Sequence, residues 1–338
     1  MGNTTTRLAV AAAAAGLAVL AAGCAGNAAT GAGANTGPAA AASRALPSPF
    51  IVTARYSARS LGLSHPVALA VGPDGNLYVT DLSQRVTVIS PAGTVLRRWG
   101  KPGTGPGQFR FIPADPSTPA DVQGQIAVGP DGLVYVSDSG NARVQVFTPQ
   151  GRLVRQFGSF GSGKGQLLRP FDLAVDGAGN VYVEDDQAQT MSKFSPAGKI
   201  IWTIGGASGD PDLVGFQKFS AFDAHGRLVI VNDALNRVLY IDTSGRKVDA
   251  FSPSTAGSPT GHVCSATVDS AGDTYVSGCG PQPTGPTLVY DRAHRLIAEW
   301  PGTTYSLLAS PDFGPHGEVF ALATDGTVLK LHITLPGA

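Results

Sequence analysis

Three polar side chains capable of chemistry recur at one offset. His65, Arg169 and His262 each stand ten residues before a turn glycine, Gly75, Gly179 and Gly272, and Val122, Phe216 and Leu307 hold the same place before Gly132, Gly226 and Gly317. An arginine does not ligate zinc, and two imidazoles alone fall short of the three protein ligands of a catalytic zinc. The set suits an anion instead, a carboxylate or phosphate, with Arg169 supplying a bidentate fork. Glu184-Asp185-Asp186 places three acids in a row, more than a turn needs, and makes Glu184 and Asp186 candidate ligand contacts. No catalytic set is complete: His225, His294, His316 and Lys164 lack partner spacing, and no serine sits in a nucleophile elbow. Gly158-Ser159-Phe160-Gly161-Ser162-Gly163-Lys164-Gly165 nearly spells a phosphate-binding loop. Its magnesium-binding hydroxyl is replaced by Gly165, and a strand rather than a helix follows.

The elements that would position these groups repeat along the chain. Gly-Pro-Asp-Gly75-Asn-Leu-Tyr-Val-Thr-Asp81 returns as Gly-Pro-Asp-Gly132-Leu-Val-Tyr-Val-Ser-Asp138 and as Asp-Gly-Ala-Gly179-Asn-Val-Tyr-Val-Glu-Asp185, with weaker copies at Gly226, Gly272 and Gly317. The turn glycines are 57, 47, 47, 46 and 45 residues apart. A period in the forties with four short strands per unit predicts propeller blades, and the longer first interval predicts an insertion around Phe111 to Ala120. The strands alternate with period two, as in Arg143-Val144-Gln145-Val146-Phe147. Tyr78, Tyr135 and Tyr182 share a core position. The last copy ends one strand short, while Phe50 to Arg55 precedes the first blade unassigned, so the expected fold is all-β: a six-bladed β-propeller of four-stranded blades, closed by the N-terminal strand completing the last blade. Composition agrees, with 44 glycines, 25 prolines and only three glutamates, Glu184, Glu299 and Glu318, among 24 acidic residues. Asp81, Asp138, Asp185 and Asn232, six residues after their turn glycines, read as organisers of the next turn, with Arg85, Arg143 and Arg237 as local partners.

The repeats resemble the NHL-repeat family, whose pattern Asp-x-x-Gly-Asn-x-Tyr-Val-x-Asp, Asn-x-Arg-Ile and Phe-Gly is best matched by the copy from Gly129 to Gly158. Proteins of this kind include sensor domains, RNA-binding domains, lyases and scaffolds, so the resemblance implies fold more than activity. The histidine positions also resemble those of the peptide-amidating lyases, six-bladed relatives that hold zinc with three histidines. Two would be present here, with Arg169 in the third place.

Residues 1–24 read as a signal peptide. Arg7 precedes an apolar run from Leu8 to Gly23, and Leu20-Ala21-Ala22-Gly23-Cys24 resembles the lipobox of bacterial lipoproteins, which implies lipidation of Cys24. The run is too short to span a membrane. The N-terminal Met1-Gly2-Asn3 also suits myristoylation, but the apolar segment that follows directs export instead. Residues 25–48, rich in Ala, Gly and Pro, read as a flexible tether, and residues 49–338 as the propeller. An exported chain favours oxidised cysteines. Pairing Val268 with Tyr275 sets Cys264 opposite Cys279, within disulfide reach.

Lysine plus arginine and aspartate plus glutamate both count 24, which disfavours a nucleic-acid partner. The sequence therefore predicts a monomeric, exported, lipid-anchored propeller outside the cell membrane. It would bind a protein, peptide or glycan of the cell envelope, with no cofactor and no catalysis. The competing reading is a lyase or lactonase-like enzyme using a divalent cation or the His/Arg cluster at the channel mouth.

Overall fold

A computed structural model describes residues 46–111, 124–206, 212, 218–232, 234–253, 262–279, 286–300, 307 and 311–335, leaving aside the side chains at 218–220, 262 and 279. The proposed signal peptide, Cys24, Val122, Phe216 and all of the expected insertion except Phe111 lie outside the described residues. Among the described residues, twenty-four strands form six four-stranded antiparallel sheets. β1 (Phe50–Tyr56) precedes blade 1, which is β2 (Pro66–Val71), β3 (Leu77–Asp81), β4 (Arg85–Ile89) and β5 (Val95–Trp99). Blade 2 is β6 (Ile126–Val128), β7 (Val134–Asp138), β8 (Arg143–Phe147) and β9 (Leu153–Phe157). Blade 3 comprises β10 (Pro170–Val175), β11 (Val181–Asp185), β12 (Thr190–Phe194) and β13 (Ile200–Gly205). In blade 4 these become β14 (Lys218–Phe222), β15 (Leu228–Asn232), β16 (Arg237–Ile241) and β17 (Lys247–Phe251). Blade 5 has β18 (His262–Val268), β19 (Thr274–Cys279), β20 (Thr287–Tyr290) and β21 (Leu296–Trp300). Blade 6 takes β22 (Asp312–Phe313), β23 (Val319–Leu322) and β24 (Val328–Ile333) from the C-terminal end and β1 from the N-terminal end, in the order β1-β24-β23-β22.

Ring closure is therefore a β1–β24 ladder, from Phe50 opposite Ile333 to Tyr56 opposite Val328. It converts the free edge of β24 into a paired one. Contacts with the ring begin before β1: Glu299 N donates to Pro47 O, and Thr334 Oγ1 donates to Ser48 O. The last residues of the expected tether thus belong to the folded part.

The core is six apolar slabs, one between each pair of neighbouring blades. Period-two alternation makes this possible, because each strand sends successive side chains to opposite neighbours. On β3, Leu77 and Val79 pack with Phe320 and Leu322 of blade 6, while Tyr78 joins Phe111, Val134 and Phe147 at blade 2. Tyr78, Tyr135 and Tyr182 are buried, as their shared position predicts. The hydroxyls of Tyr78 and Tyr182 donate to Asp74 (3.1 Å) and Asp176 (3.2 Å), and burial, followed by those carboxylates, pushes both phenols up.

Hairpins within the blades reuse one three-residue loop. In blade 1, Gly75 N donates to Gly72 O and Gly72 N to Asn76 O, with Gly75 in the left-handed region at φ +72°. That geometry is a type I turn closed by a residue at positive φ, which favours glycine. Blade 5 follows it: Gly272 N donates to Asp269 O and Asp269 N to Asp273 O. The loop therefore holds three residues, Val268 lies opposite Thr274 rather than Tyr275, and a bulge between Val263 and Ser265 shifts the ladder again. The expected Val268–Tyr275 register is corrected accordingly. Cys279 stands opposite His262, and Cys264, at the bulge, is disulfide-bonded.

The closing strand gives a direct test. Phe50 is 4% exposed, stacks on Tyr275 (centroids 5.4 Å apart) and meets Trp300 edge-on (5.3 Å), whereas its neighbour Ile51 is 56% exposed. Phe50→Ala is expected to cost about 3–5 kcal/mol of unfolding free energy, and Ile51→Ala less than about 0.5 kcal/mol. Denaturant titration of both variants measures this, and equal losses would contradict closure through β1.

Candidate functional site

The ends of the second strands and the beginnings of the first strands share one face of the ring. There a short acid at the end of the second strand organises backbone, as its residue type predicts. In blade 2, Asp138 Oδ1 accepts Arg110 N (2.8 Å) from the linker that enters the blade, and its carboxylate also takes Asn141 Nδ2 (2.9 Å). Asp138 Oδ2 accepts Arg143 Nε (2.8 Å) and Gln145 Nε2 (3.0 Å) from the third strand. Asp81 does the same in blade 1, taking Ser83 N (2.8 Å) and Arg85 Nε (3.1 Å). Blade 4 moves the carboxylate. Asn232 accepts Leu235 N (3.0 Å) and donates to Asp212 O (3.0 Å), and the Asp212 carboxylate takes Arg237 Nη1 at 2.7 and 2.8 Å. Hydrogen bonding from Lys247, then from Arg237, holds Asp212 below the usual carboxylate range. The expected partners Arg85, Arg143 and Arg237 are thus each paired with an acid of their own blade or its incoming linker.

Blade 3 departs from this plan. Asp185 accepts Leu168 N (2.6 Å), Arg169 N (3.1 Å) and Ala188 N (2.9 Å), all backbone, and Thr190 stands where blades 1, 2 and 4 carry arginine. The three adjacent acids separate into three environments. Glu184 is fully buried at the position from which Thr80 and Ser137 donate to Gly124 O and Phe171 O of the following blade, and so lies on the blade 4 side of β11. Asp185 is the backbone clamp. Asp186 pairs with Arg169, whose Nε is 2.6 Å from its Oδ1. Burial pushes Asp186 up, opposed by the Arg169 guanidinium.

Of the sequence-derived site, Arg169 and Asp186 are therefore brought together. His65 is exposed in the loop before β2, with a left-handed φ of +48°, and His262 opens β18. Among the described residues no three His, Cys, Asp or Glu converge as a metal site.

Two features were not singled out from the sequence. The first is a cavity of about 580 Å³ on blade 3. One wall is the glycine-rich linker at Gly161, Gly163, Lys164 and Gln166, and the other is Ile201, Trp202 and Thr203 of β13, with Asp185, Thr190 and Ser192 between them. The loop that nearly matched a phosphate-binding motif is an ordinary linker, bonded like the one between blades 1 and 2. Gln166 N donates to Gly163 O and Leu167 N to Ser159 O, as Gln108 N does to Gly105 O and Phe109 N to Lys101 O. The signal for the cavity was present in the sequence as Thr190 at a position held by Arg85, Arg143 and Arg237. The second feature is Asp312 in β22, which accepts the amide of Val71 in β2 at 2.7 Å and so ties the inner strands of blades 6 and 1. Burial pushes Asp312 up to about 6, against the pull of the Val71 and Phe313 amides.

Residues 125–147, in blade 2, match the family model of the NHL repeat. The fold is a six-bladed β-propeller carrying an NHL repeat. A streptogramin B lyase structure is similar with a TM-score of 0.54 and 13% identity over 84% of this chain and 98% of that one. A catalytically inactive virginiamycin B lyase from Staphylococcus aureus with quinupristin gives 0.56 and 14% over 84% and 100%. Selenomethionine-substituted virginiamycin B lyase from the same organism gives 0.53 and 13% over 84% and 100%. At such identity the likeness shows fold alone. No curated protein matches the chain.

Asp312 yields a pH prediction for this propeller. Between the ordinary value of 3.8 and about 6, the native state binds more protons at this site than the unfolded chain, so its contribution to stability falls as pH rises through that window. Asp312→Asn keeps an acceptor for Val71 N and removes the titration. Denaturation midpoints measured from pH 4 upward should therefore fall in the wild type relative to the variant, and parallel curves would contradict the assignment.

Proposed function

We propose that the protein is an exported, lipid-anchored β-propeller that binds a protein, peptide or glycan of the cell envelope without catalysing a reaction on it. The observation that carries this reading is the use made of the face just described. Across blades 1 to 4 its acids are bonded to backbone, arginine or lysine, and beside the blade 3 clamp, which has no arginine at that position, opens a cavity of about 580 Å³. The cavity is lined by glycine backbone, hydroxyls and isoleucine, with the backbone-bonded Asp185 at its floor and Lys164 at its rim, a surface suited to holding a polar ligand. Lipidation of Cys24 would hold the ring at the outer side of the cell membrane as a monomer, on a tether of roughly twenty residues whose coil dimension is on the order of 25 Å. Cys279 is the proposed disulfide partner of Cys264, consistent with export.

A lyase-like activity is the second reading, favoured by the exposure of His65 near the start of β2 and by the similarity to lyase folds. It would require His65 and His262, with a divalent cation, and the acids near Glu184. Elemental analysis of the full-length protein beside a His65→Ala, His262→Ala double variant separates the two, together with incubation of each with quinupristin. The binding-module reading expects the same metal content in both proteins and intact quinupristin. Stoichiometric divalent metal lost in the variant, or cleavage that the variant abolishes, would overturn it.

A further inference from the structure

Blades 2 and 3 allow a residue-by-residue comparison, because their incoming linkers have the same bonding and the same positive-φ glycines: Gly100, Gly103 and Gly107 in one, Gly158, Gly161 and Gly165 in the other. In blade 2, the Arg143 guanidinium fills the space between linker and sheet. Its Nε binds Asp138 Oδ2 (2.8 Å), Nη1 binds Gln156 Oε1 (3.0 Å), and Nη2 binds the carbonyls of Gly105 (2.8 Å) and Gln108 (3.1 Å). Gln145 also donates to Gln108 O (2.7 Å), and its own carbonyl takes Gly107 N (2.9 Å). Blade 3 carries Thr190, Ser192 and Thr203 at the positions of Arg143, Gln145 and Gln156. Ser192 and Thr203 bond to each other at 2.8 Å.

The acceptors, however, are retained. Asp185 corresponds to Asp138, and the carbonyls of Gly163 and Gln166 correspond to those of Gly105 and Gln108. Among the described residues Asp185 has no cationic partner, although it is buried and lines the cavity. A carboxylate and two carbonyls in the arrangement that holds a guanidinium, with space where the guanidinium was, is a receptor lacking its occupant.

We propose that this cavity binds an arginine side chain presented by a peptide or protein partner, which takes the place that Arg143 takes in blade 2. This deepens, and rests on, the reading of the propeller as a binding module. The planar fork of a guanidinium can reach the carboxylate and the carbonyls together, whereas a lysine ammonium is a single point charge, so arginine is selected over lysine. The half-exposed Ile201, on the same side of β13 as Thr203, offers an apolar wall to the aliphatic stem, and Phe160, 74% exposed on the same linker, offers contact area to a flanking residue. Lys164, exposed at the rim, disfavours a second cation and favours an anionic neighbour next to the arginine.

The variant Thr190→Arg restores the repeat from within and should occlude the cavity while raising the melting temperature, since it supplies the missing arginine. Calorimetric titration of the full-length protein with N-acetyl-L-arginine amide is expected to show one site. Loss of the charged hydrogen bonds should weaken binding by about ten- to a hundredfold in Thr190→Arg, and for N-acetyl-L-lysine amide on the wild type. The double variant Ser192→Gln, Thr203→Gln fills the other wall and should weaken binding in the same direction. No binding to the wild type, or equal binding to wild type and Thr190→Arg, would overturn the proposal. Arginine-containing and arginine-free fragments of any captured envelope partner divide the two readings. A partner held equally by wild type and Thr190→Arg leaves the binding module standing and removes this site, and absence of any partner or probe binding removes both.

Discussion

The acid at the end of the second strand, or brought to it by the incoming linker, is the interaction on which this face depends across blades 1 to 4. A sheet in a propeller ends at the top in backbone groups that have no ladder partner, and the linker arriving from the previous blade has the same deficit. One aspartate answers both, because an ionised carboxylate accepts three or more hydrogen bonds from amides and a guanidinium at once. Asp138 receives the linker through Arg110 N and the third strand through Arg143 and Gln145. Where blade 4 has Asn232 instead, the linker supplies Asp212, so the charge pair with Arg237 survives a change in which segment donates the acid. The pairing of acid and arginine, rather than the aspartate alone, is what recurs.

Among blades 1 to 4, blade 3 is the departure from this pairing. A blade whose clamp contains only backbone donors still folds, since three amides reach Asp185, and the side-chain volume no longer needed becomes space for something else. A binding surface made this way preserves the scaffold on which the neighbouring blades lean. It also places the ligand against the linker, whose glycines keep its carbonyls within reach at Gly161 and Gly165.

Much of this was legible in the sequence, for physical reasons that differ by feature. The blades were legible because turn chemistry and period-two alternation repeat together, and the missing last strand pointed to Phe50. The fifth hairpin was displaced by one residue because loop length was read without the positive φ of Gly272, and strand register is unforgiving of a single-residue shift. Glu184, Asp185 and Asp186, adjacent in sequence, lie in three environments, since neighbours on a strand point to opposite sides and the next residue leaves the sheet. The cavity escaped notice because it is defined by what Thr190, Ser192 and Thr203 lack. Only alignment with Arg143, Gln145 and Gln156 makes that visible. Asp312 needed ring closure, which brings residues 71 and 312 together, before its role could be seen.

The central claim is that arginine holds the linker in blade 2 and that nothing in blade 3 replaces it. Amide hydrogen exchange on the full-length protein measures this most directly, because the two linkers have matching backbone bonds and differ in the side chains beneath them. The amides of Gly161, Gly163, Gln166 and Leu167 should exchange faster than those of Gly103, Gly105, Gln108 and Phe109, and addition of an arginine amide should slow the first set alone. Equal protection of the two linkers, with no response to the added arginine, would contradict the account.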